Sequence, residues 1–344
     1  MTRRIYVAYT GGTFGMTATA SGFRPDRGLA RALQARLPPS GQHGMPHWDL
    51  HEYTQLIDSA EAQPRDWHTI AADIAAHYDA YDGFVVIHGT DTMAYTASAL
   101  SFALAGLRKP VIVTGAQIPL AMPRSDAPGN LAGALLIAAL SPLPEVCLYF
   151  GGKLLRGNRA TKVSAADFGA FDSPNHPPLG RAGIHVEIDG ARVLPMPARE
   201  AFEVVAPSAG EVALLRLHPG LTVALLGRLL APTVAGLVLQ SYGAGNGPVG
   251  LPGFVDTLAA ASARGVVIVN VSQCARGSVD PTLYATGSAL AAAGVFGGHD
   301  MTLEAALTKL HHLLSLGLAA EEVRRRMQLP ICGEFTSPQA EAAP

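Results

Sequence analysis

Seven short apolar runs punctuate the chain, at residues 5–9, 84–88, 111–114, 146–150, 212–217, 234–240 and 266–271. They are rich in Val and Ile, and their hydrophobicity is continuous rather than alternating, which predicts strands covered on both faces. Segments with helical spacing of apolar positions lie between them, at 67–78 after Pro64, 93–105, 131–139, 254–263, 302–314 and 321–327. Strand and helix alternate throughout. That order predicts an α/β protein with largely parallel sheets flanked by helices. Between Asp189 and Glu211 the period lapses into Gly190, Pro195, Pro197 and Pro207, the composition of an interdomain connection. The expectation is a larger N-terminal α/β domain over 1–190, a linker over 191–210 and a smaller C-terminal α/β domain over 211–344. The Ala-rich tail after Pro338 is expected to fray.

Composition agrees with two packed domains: 344 residues, of which 49% are hydrophobic, leave ample material for buried cores. The charge balance is 25 Lys+Arg against 27 Asp+Glu, which excludes a nucleic-acid partner held by bulk electrostatics. The charge-free stretch 229–255 is broken by Pro232, Pro248 and Pro252, so no membrane helix is expected. The N-terminus runs from two arginines into a strand with no signal-peptide core, which points to the cytoplasm. Cys147, Cys274 and Cys332 are isolated and lack metal-ligand spacing, so neither a disulfide framework nor a metal site is expected. Only four of the 25 basic residues are lysines, Lys109, Lys153, Lys162 and Lys309. Each is worth inspecting.

Ligands of parallel sheets bind beyond the carboxyl ends of the strands. The first strand ends in Thr10-Gly11-Gly12-Thr13, where two glycines permit close backbone approach and a hydroxyl follows. A simple glycine turn or a phosphate loop would look similar, but the Rossmann glycine spacing and the P-loop lysine are both absent. The strand at 84–88 ends in Gly89-Thr90-Asp91-Thr92. These residues could cap the next helix, or could project into the same crevice as Thr13 with an acid able to hold an ammonium group. After 146–150 comes Arg156-Gly-Asn-Arg159-Ala-Thr-Lys162, which reads either as a solvated basic face or as a lysine placed to activate a threonine hydroxyl.

Taken together, Thr10-Gly11-Gly12-Thr13, His88-Gly89-Thr90-Asp91-Thr92, Thr114-Gly115-Ala116-Gln117 and Arg159-Ala-Thr-Lys162 resemble the bacterial L-asparaginase family. Residues 82–104 and 294–313 resemble its cytosolic, type I branch, and the similarity runs from about residue 3 to about 336. The resemblance implies hydrolysis of L-asparagine to L-aspartate and ammonia through a covalent β-aspartyl enzyme, without metal or organic cofactor. Thr13 matches the acylated threonine, Thr90 and Lys162 the proton-relaying pair, and Asp91 the group that grips the substrate α-ammonium. Ser59, in Asp58-Ser59-Ala60-Glu61, matches the serine that binds the α-carboxylate. Ala116 matches the position whose backbone contacts the side-chain amide. The resemblance also implies a homodimer or homotetramer with active sites completed across a dimer.

Two positions depart from the family pattern. Phe23, in Ser21-Gly22-Phe23-Arg24-Pro25, stands where a lid tyrosine is usual, and Tyr284 is the candidate for supplying a phenol from the C-terminal domain. Gln240 stands where some type I relatives use an arginine to bind a second, allosteric asparagine. Three further readings compete: an amidotransferase subunit, expected to carry an extension before TGGT; a periplasmic glutaminase-asparaginase, expected to carry a signal peptide; and a non-catalytic amino-acid sensor on the same fold. A nucleotide-binding protein is disfavoured by the missing phosphate-loop lysine.

Overall fold

The computed structural model describes residues 3–337 apart from 20, 21, 26, 27, 141, 201 and 209. Ser21 and the tail after Pro338 therefore lie outside the described residues. Two compact units divide the chain, Met1–Val204 and Val205–Pro344. Residues of the 191–210 stretch up to Val204 pack on the first unit, where Leu194 donates its N–H to Glu145 and Phe202 and Val204 cover apolar core.

In the first unit the chain forms β1 (Arg4–Gly11), a hairpin of β2 (Met16–Thr19) and β3 (Gly22–Pro25), α1 (Leu29–Gln34), β4 (His47–Ile57) and α2 (Pro64–His77). It continues through β5 (Gly83–Ile87), α3 (Met93–Ala103), β6 (Val111–Thr114), α4 (Ala127–Leu140), β7 (Val146–Phe150) and β8 (Lys153–Arg156). Short strands follow, β9 (Thr161–Lys162), β10 (Phe171–Asp172), β11 (Gly180–Ala182) and β12 (Val186–Ile188). The large sheet has the order β12-β11-β8-β7-β6-β5-β1-β4, parallel from β7 to β4 and antiparallel beyond β7. The strand period of two sends Ile5, Val7 and Tyr9 of β1 into a core with α4, and Tyr6 and Ala8 into another with α2 and α3. The sheet is thus covered on both faces, as its continuous apolar runs require.

Helix α2 begins three residues before the apolar period does, because Gln63 and Asp66 form a reciprocal capping box and Pro64 fills the first turn. Helix α4 begins at Ala127 rather than 131, since Pro128 lies in the first turn, where its missing N–H costs nothing. Both α3 and α4 are apolar on nearly every face and largely buried.

The second unit carries the parallel sheet β13-β14-β15-β16, from β13 (Glu211–Arg216), β14 (Val234–Ser241), β15 (Val267–Ser272) and β16 (Val295–Gly297). Its helices are α5 (Val223–Leu229), α6 (Phe254–Ala263), α7 (Ala285–Ala292), α8 (Leu303–Ser315) and α9 (Ala320–Met327). Lys309 of α8 is wholly buried against Glu334 at 2.6 Å and donates to the carbonyls of Met327 and Leu329. This pair ties the segment after α9 to α8. Among the described residues no helix is long and apolar enough to cross a membrane.

Burial lowers the pKa of His311 on α8 to about 4, and burial beside Arg156 and Arg159 does the same for His176. Both imidazoles therefore stay neutral in the folded protein where those of the unfolded chain, near the ordinary histidine value of about 6.5, take up protons. Their contribution to stability is full above about pH 6.5 and is lost as pH falls toward about 4. The Tm followed by circular dichroism should drop between about pH 7 and pH 4.5, and His311→Gln should shrink that drop. An unchanged drop would contradict this origin.

Candidate active site

Four adjacent parallel strands, β6, β5, β1 and β4, end on the same side of the sheet. Their carboxyl ends lead directly into Gly115-Ala116-Gln117, His88-Gly89-Thr90-Asp91, Gly11-Gly12-Thr13 and Asp58-Ser59. Residues up to about 106 positions apart in sequence, from Gly11 to Gln117, are gathered by sheet order alone.

The loops touch. A Cβ on Gly12 would lie 2.3 Å from both the Cα and the N of Gly89, and one on Gly89 would lie 2.4 Å from the Ser59 hydroxyl. Gly12 also has φ 81°, a conformation L side chains rarely adopt. Only glycine serves at these two positions, and the reason is the contact between three loops. A Cβ on Gly115 would meet the His88 carbonyl at 2.3 Å, so the fourth loop joins the same cluster.

Thr13 opens a short 3-10 turn, Thr13–Gly15, whose Phe14 is fully buried and accepts from the Leu120 N–H. The turn runs straight into the β2–β3 hairpin, on which Phe23 is 47% exposed opposite Ala18. Asp58 is exposed, and its carboxylate accepts the Ala60 N–H to cap the turn that seats the buried Ser59. The Ser59 carbonyl accepts a hydrogen bond from Thr92 at 2.7 Å. That bond locks the end of β4 to the start of α3.

The capping reading of Thr90 and Asp91 does not hold. The N-cap of α3 is Thr92, without a side-chain cap, and the other two side chains turn to Lys162. Lys162 Nζ donates to Thr90 Oγ1 at 2.9 Å and to Asp91 Oδ1 at 2.8 Å. Thr90 is buried, whereas the Asp91 side chain is 63% exposed, so one end of the ion pair is open to solvent. Thr90 in turn donates to Gln117 Oε1 at 3.3 Å. His88 is buried, and because the carbonyl of Gly89 at 2.8 Å can only accept, its Nδ1 carries the proton. Burial lowers the His88 pKa, keeping the ring neutral, and Nε2 faces the Thr96 hydroxyl at 3.1 Å.

The solvated-face reading of the basic loop also fails. Arg156 and Arg159 are buried; Arg156 pairs with the buried Glu145 at 2.7 Å and Arg159 donates to the Asn175 carbonyl. These anchors fix the loop that delivers Lys162, whose strand β9 pairs with β10. Removing one partner of such a buried pair costs about 3–5 kcal/mol.

Three residues with contacts to this cluster were not singled out from the sequence: the Gln117 side chain, Asp126 and Asn130. The available signal was a polar trio, Ser125, Asp126 and Asn130, at the start of an otherwise apolar helix. In the second unit Tyr284 is 51% exposed and forms the N-cap of α7, rather than being a buried aromatic. Gln240, itself buried, is paired in register with Arg216, whose guanidinium donates to Gln240 Oε1 at 3.3 Å. A cation therefore stands beside Gln240, supplied by the neighbouring strand.

Residues 4–194 match the family model for the asparaginase N-terminal domain and residues 211–327 that for the glutaminase/asparaginase C-terminal domain. The chain is 50% identical over 335 residues to L-asparaginase 1 of Escherichia coli (strain K12), covering 97% of this chain and 98% of that protein. It is 42% identical over 360 residues to the Homo sapiens 60 kDa lysophospholipase, covering 98% of this chain and 62% of that protein. The crystal structure of L-asparaginase I from Vibrio cholerae O1 biovar eltor strain N16961 superimposes with a TM-score of 0.89 at 47% identity, covering 98% of this chain and 100% of the other. With family models matched in both units and near-complete alignment to two type I enzymes, the chain belongs to the asparaginase family.

Proposed function

We propose that this chain is an L-asparaginase that hydrolyses L-asparagine to L-aspartate and ammonia through a β-aspartyl ester on Thr13. The observation that carries the reading is the Lys162–Thr90–Asp91 cluster, with hydrogen bonds of 2.9 and 2.8 Å, set beside the Gly12–Gly89 contact that leads into Thr13. A carboxamide is a poor electrophile and needs a positioned nucleophile, a proton acceptor and donors for the developing oxyanion. Thr13 Oγ attacks the side-chain carbonyl carbon, and its proton passes to the Thr90–Lys162 relay. The C–N bond then breaks as the relay returns a proton to the leaving nitrogen, releasing ammonia. Water attacks the ester with the same relay as base, freeing L-aspartate and the Thr13 hydroxyl.

Zwitterionic asparagine offers one carboxylate and one ammonium. Ser59, seated by Asp58, answers the first and Asp91 the second, while the Ala116 backbone receives the side-chain amide. A ligand lacking either charged group leaves polar groups unpaired and is rejected. The same reading makes the protein a cytoplasmic homodimer or homotetramer that uses no metal or organic cofactor. Purified protein should release ammonia from L-asparagine with saturation, measured in parallel with L-glutamine over a concentration series. No release from L-asparagine would favour a non-catalytic sensor and sink the proposal.

Phe23 has no hydroxyl to add to a proton relay. We assign it the role of an apolar cap and propose that Tyr284 supplies the phenol. Tyr284→Phe, which keeps the ring, should lower kcat/KM by about 10²-fold at unchanged Tm. Activity near that of wild type would remove Tyr284 from the mechanism.

A further inference from the structure

The loop that carries Ala116 is held by an unusual set of side-chain contacts, from Ser125 and Asp126 just before α4 and Asn130 in its first turn. The Asp126 carboxylate accepts the consecutive N–H groups of Gln117, at 3.0 and 3.1 Å, and Ile118, at 3.0 Å. Asn130 Nδ2 donates to the Gly115 carbonyl at 3.0 Å and to Asp126 at 3.1 Å, and its Oδ1 accepts the Gly151 N–H at the end of β7. Ser125 Oγ donates to the Ile118 carbonyl at 2.9 Å and accepts the Ala127 N–H at 3.2 Å. The side chain of Asp126 is thus spent on the β6–α4 loop rather than on capping its own helix.

The 116–117 peptide bond is trans, so its N–H and C=O point in opposite directions. Because the Gln117 N–H is aimed at Asp126, the Ala116 carbonyl is aimed away from the Asp126 carboxylate. The Gly115 carbonyl, pinned by Asn130, prevents the preceding peptide plane from compensating by rotation. Ala116 is fully buried and its neighbour Gly115 lies against the His88 carbonyl, which places this peptide among the loops that carry Thr90 and Ser59.

We propose that Asp126, supported by Asn130, is the positioning residue that sets the direction of the Ala116 carbonyl and so fixes the amide nitrogen of the substrate for departure. The inference rests on the L-asparaginase reading and deepens it. An ionised carboxylate accepting backbone N–H groups makes a stronger bond than a neutral acceptor, which is why an acid holds this turn. Its target is selective: the Ala116 carbonyl accepts from the N–H of a carboxamide, whereas the side-chain carboxylate of L-aspartate has no such hydrogen to offer.

The test compares Asp126→Asn with wild type: the variant keeps the shape but loses the charge, and puts an NH2 donor where Oδ2 accepts from the Gln117 N–H and from Asn130 Nδ2. In the variant kcat/KM for L-asparagine should fall by about 10²-fold, the scale of a displaced reacting group. The Kd for L-aspartate should stay within about threefold. Equal losses for substrate and product, or no loss for either, would overturn the proposal. Asn130→Ala, which releases only the Gly115 end, serves as a second variant with the same pattern at about tenfold. If both variants failed to fold, the network would be a folding element and the proposal would fall. Wild-type protein that releases no ammonia would instead overturn the functional reading itself.

Discussion

Thr13→Ala is expected to abolish ammonia release, by about 10³-fold or more in kcat, while the protein stays folded and still binds L-aspartate. The expectation follows from position. Thr13 is partly exposed at the start of a 3-10 turn whose anchor is the buried Phe14, so shortening its side chain empties no core. Substrate recognition is assigned to Ser59, Asp91 and the Ala116 backbone, which the substitution leaves untouched. Calorimetry with L-aspartate should therefore give a Kd close to that of wild type. Turnover within about tenfold of wild type would remove Thr13 as the nucleophile.

The second large effect concerns the relay. Thr90→Val and Lys162→Met should each lower kcat by about 10²–10⁴-fold, the range of lost acid–base assistance. The two groups are joined by one hydrogen bond of 2.9 Å, and the proposed relay needs both to move a proton. Residues that act as a unit are not additive, so the double variant should be little worse than the poorer single one. Steady-state kinetics of all four proteins closes the cycle. Losses that simply multiply would show two independent roles and contradict the relay.

Much of the central sheet was readable from apolar runs because its strands are buried on both faces, as with the wholly buried β5, β6 and β7. Strand β4 was not, since His47–Ile57 is polar and half-exposed at the sheet edge, with one neighbour instead of two. Strands β8, β11, β12 and β16 are three or four residues long, too short to display a period. The prediction of largely parallel sheets survives, with the antiparallel exception beyond β7.

The site shows a similar division. Gly11 and Gly12 were readable as a close backbone approach; that Gly12, Gly89 and Gly115 meet one another's loops was not. Thr90, Asp91 and Lys162 announce chemistry by residue type. The contributions of Gln117, Asp126 and Asn130 run through hydrogen bonds to backbone, whose direction no spacing in the sequence reveals. Arg216 escaped notice for a related reason: it reaches Gln240 by strand register, across 24 positions of sequence.

The most direct test of the account is to identify the residue that attacks. An L-asparagine analogue bearing an electrophilic diazoketone in place of the side-chain amide, incubated with the protein and followed by peptide mapping in a mass spectrometer, should leave a single adduct on Thr13. L-Aspartate should protect against it. An adduct on Thr90 with Thr13 unmodified, or on any residue outside the four loops, would contradict the account.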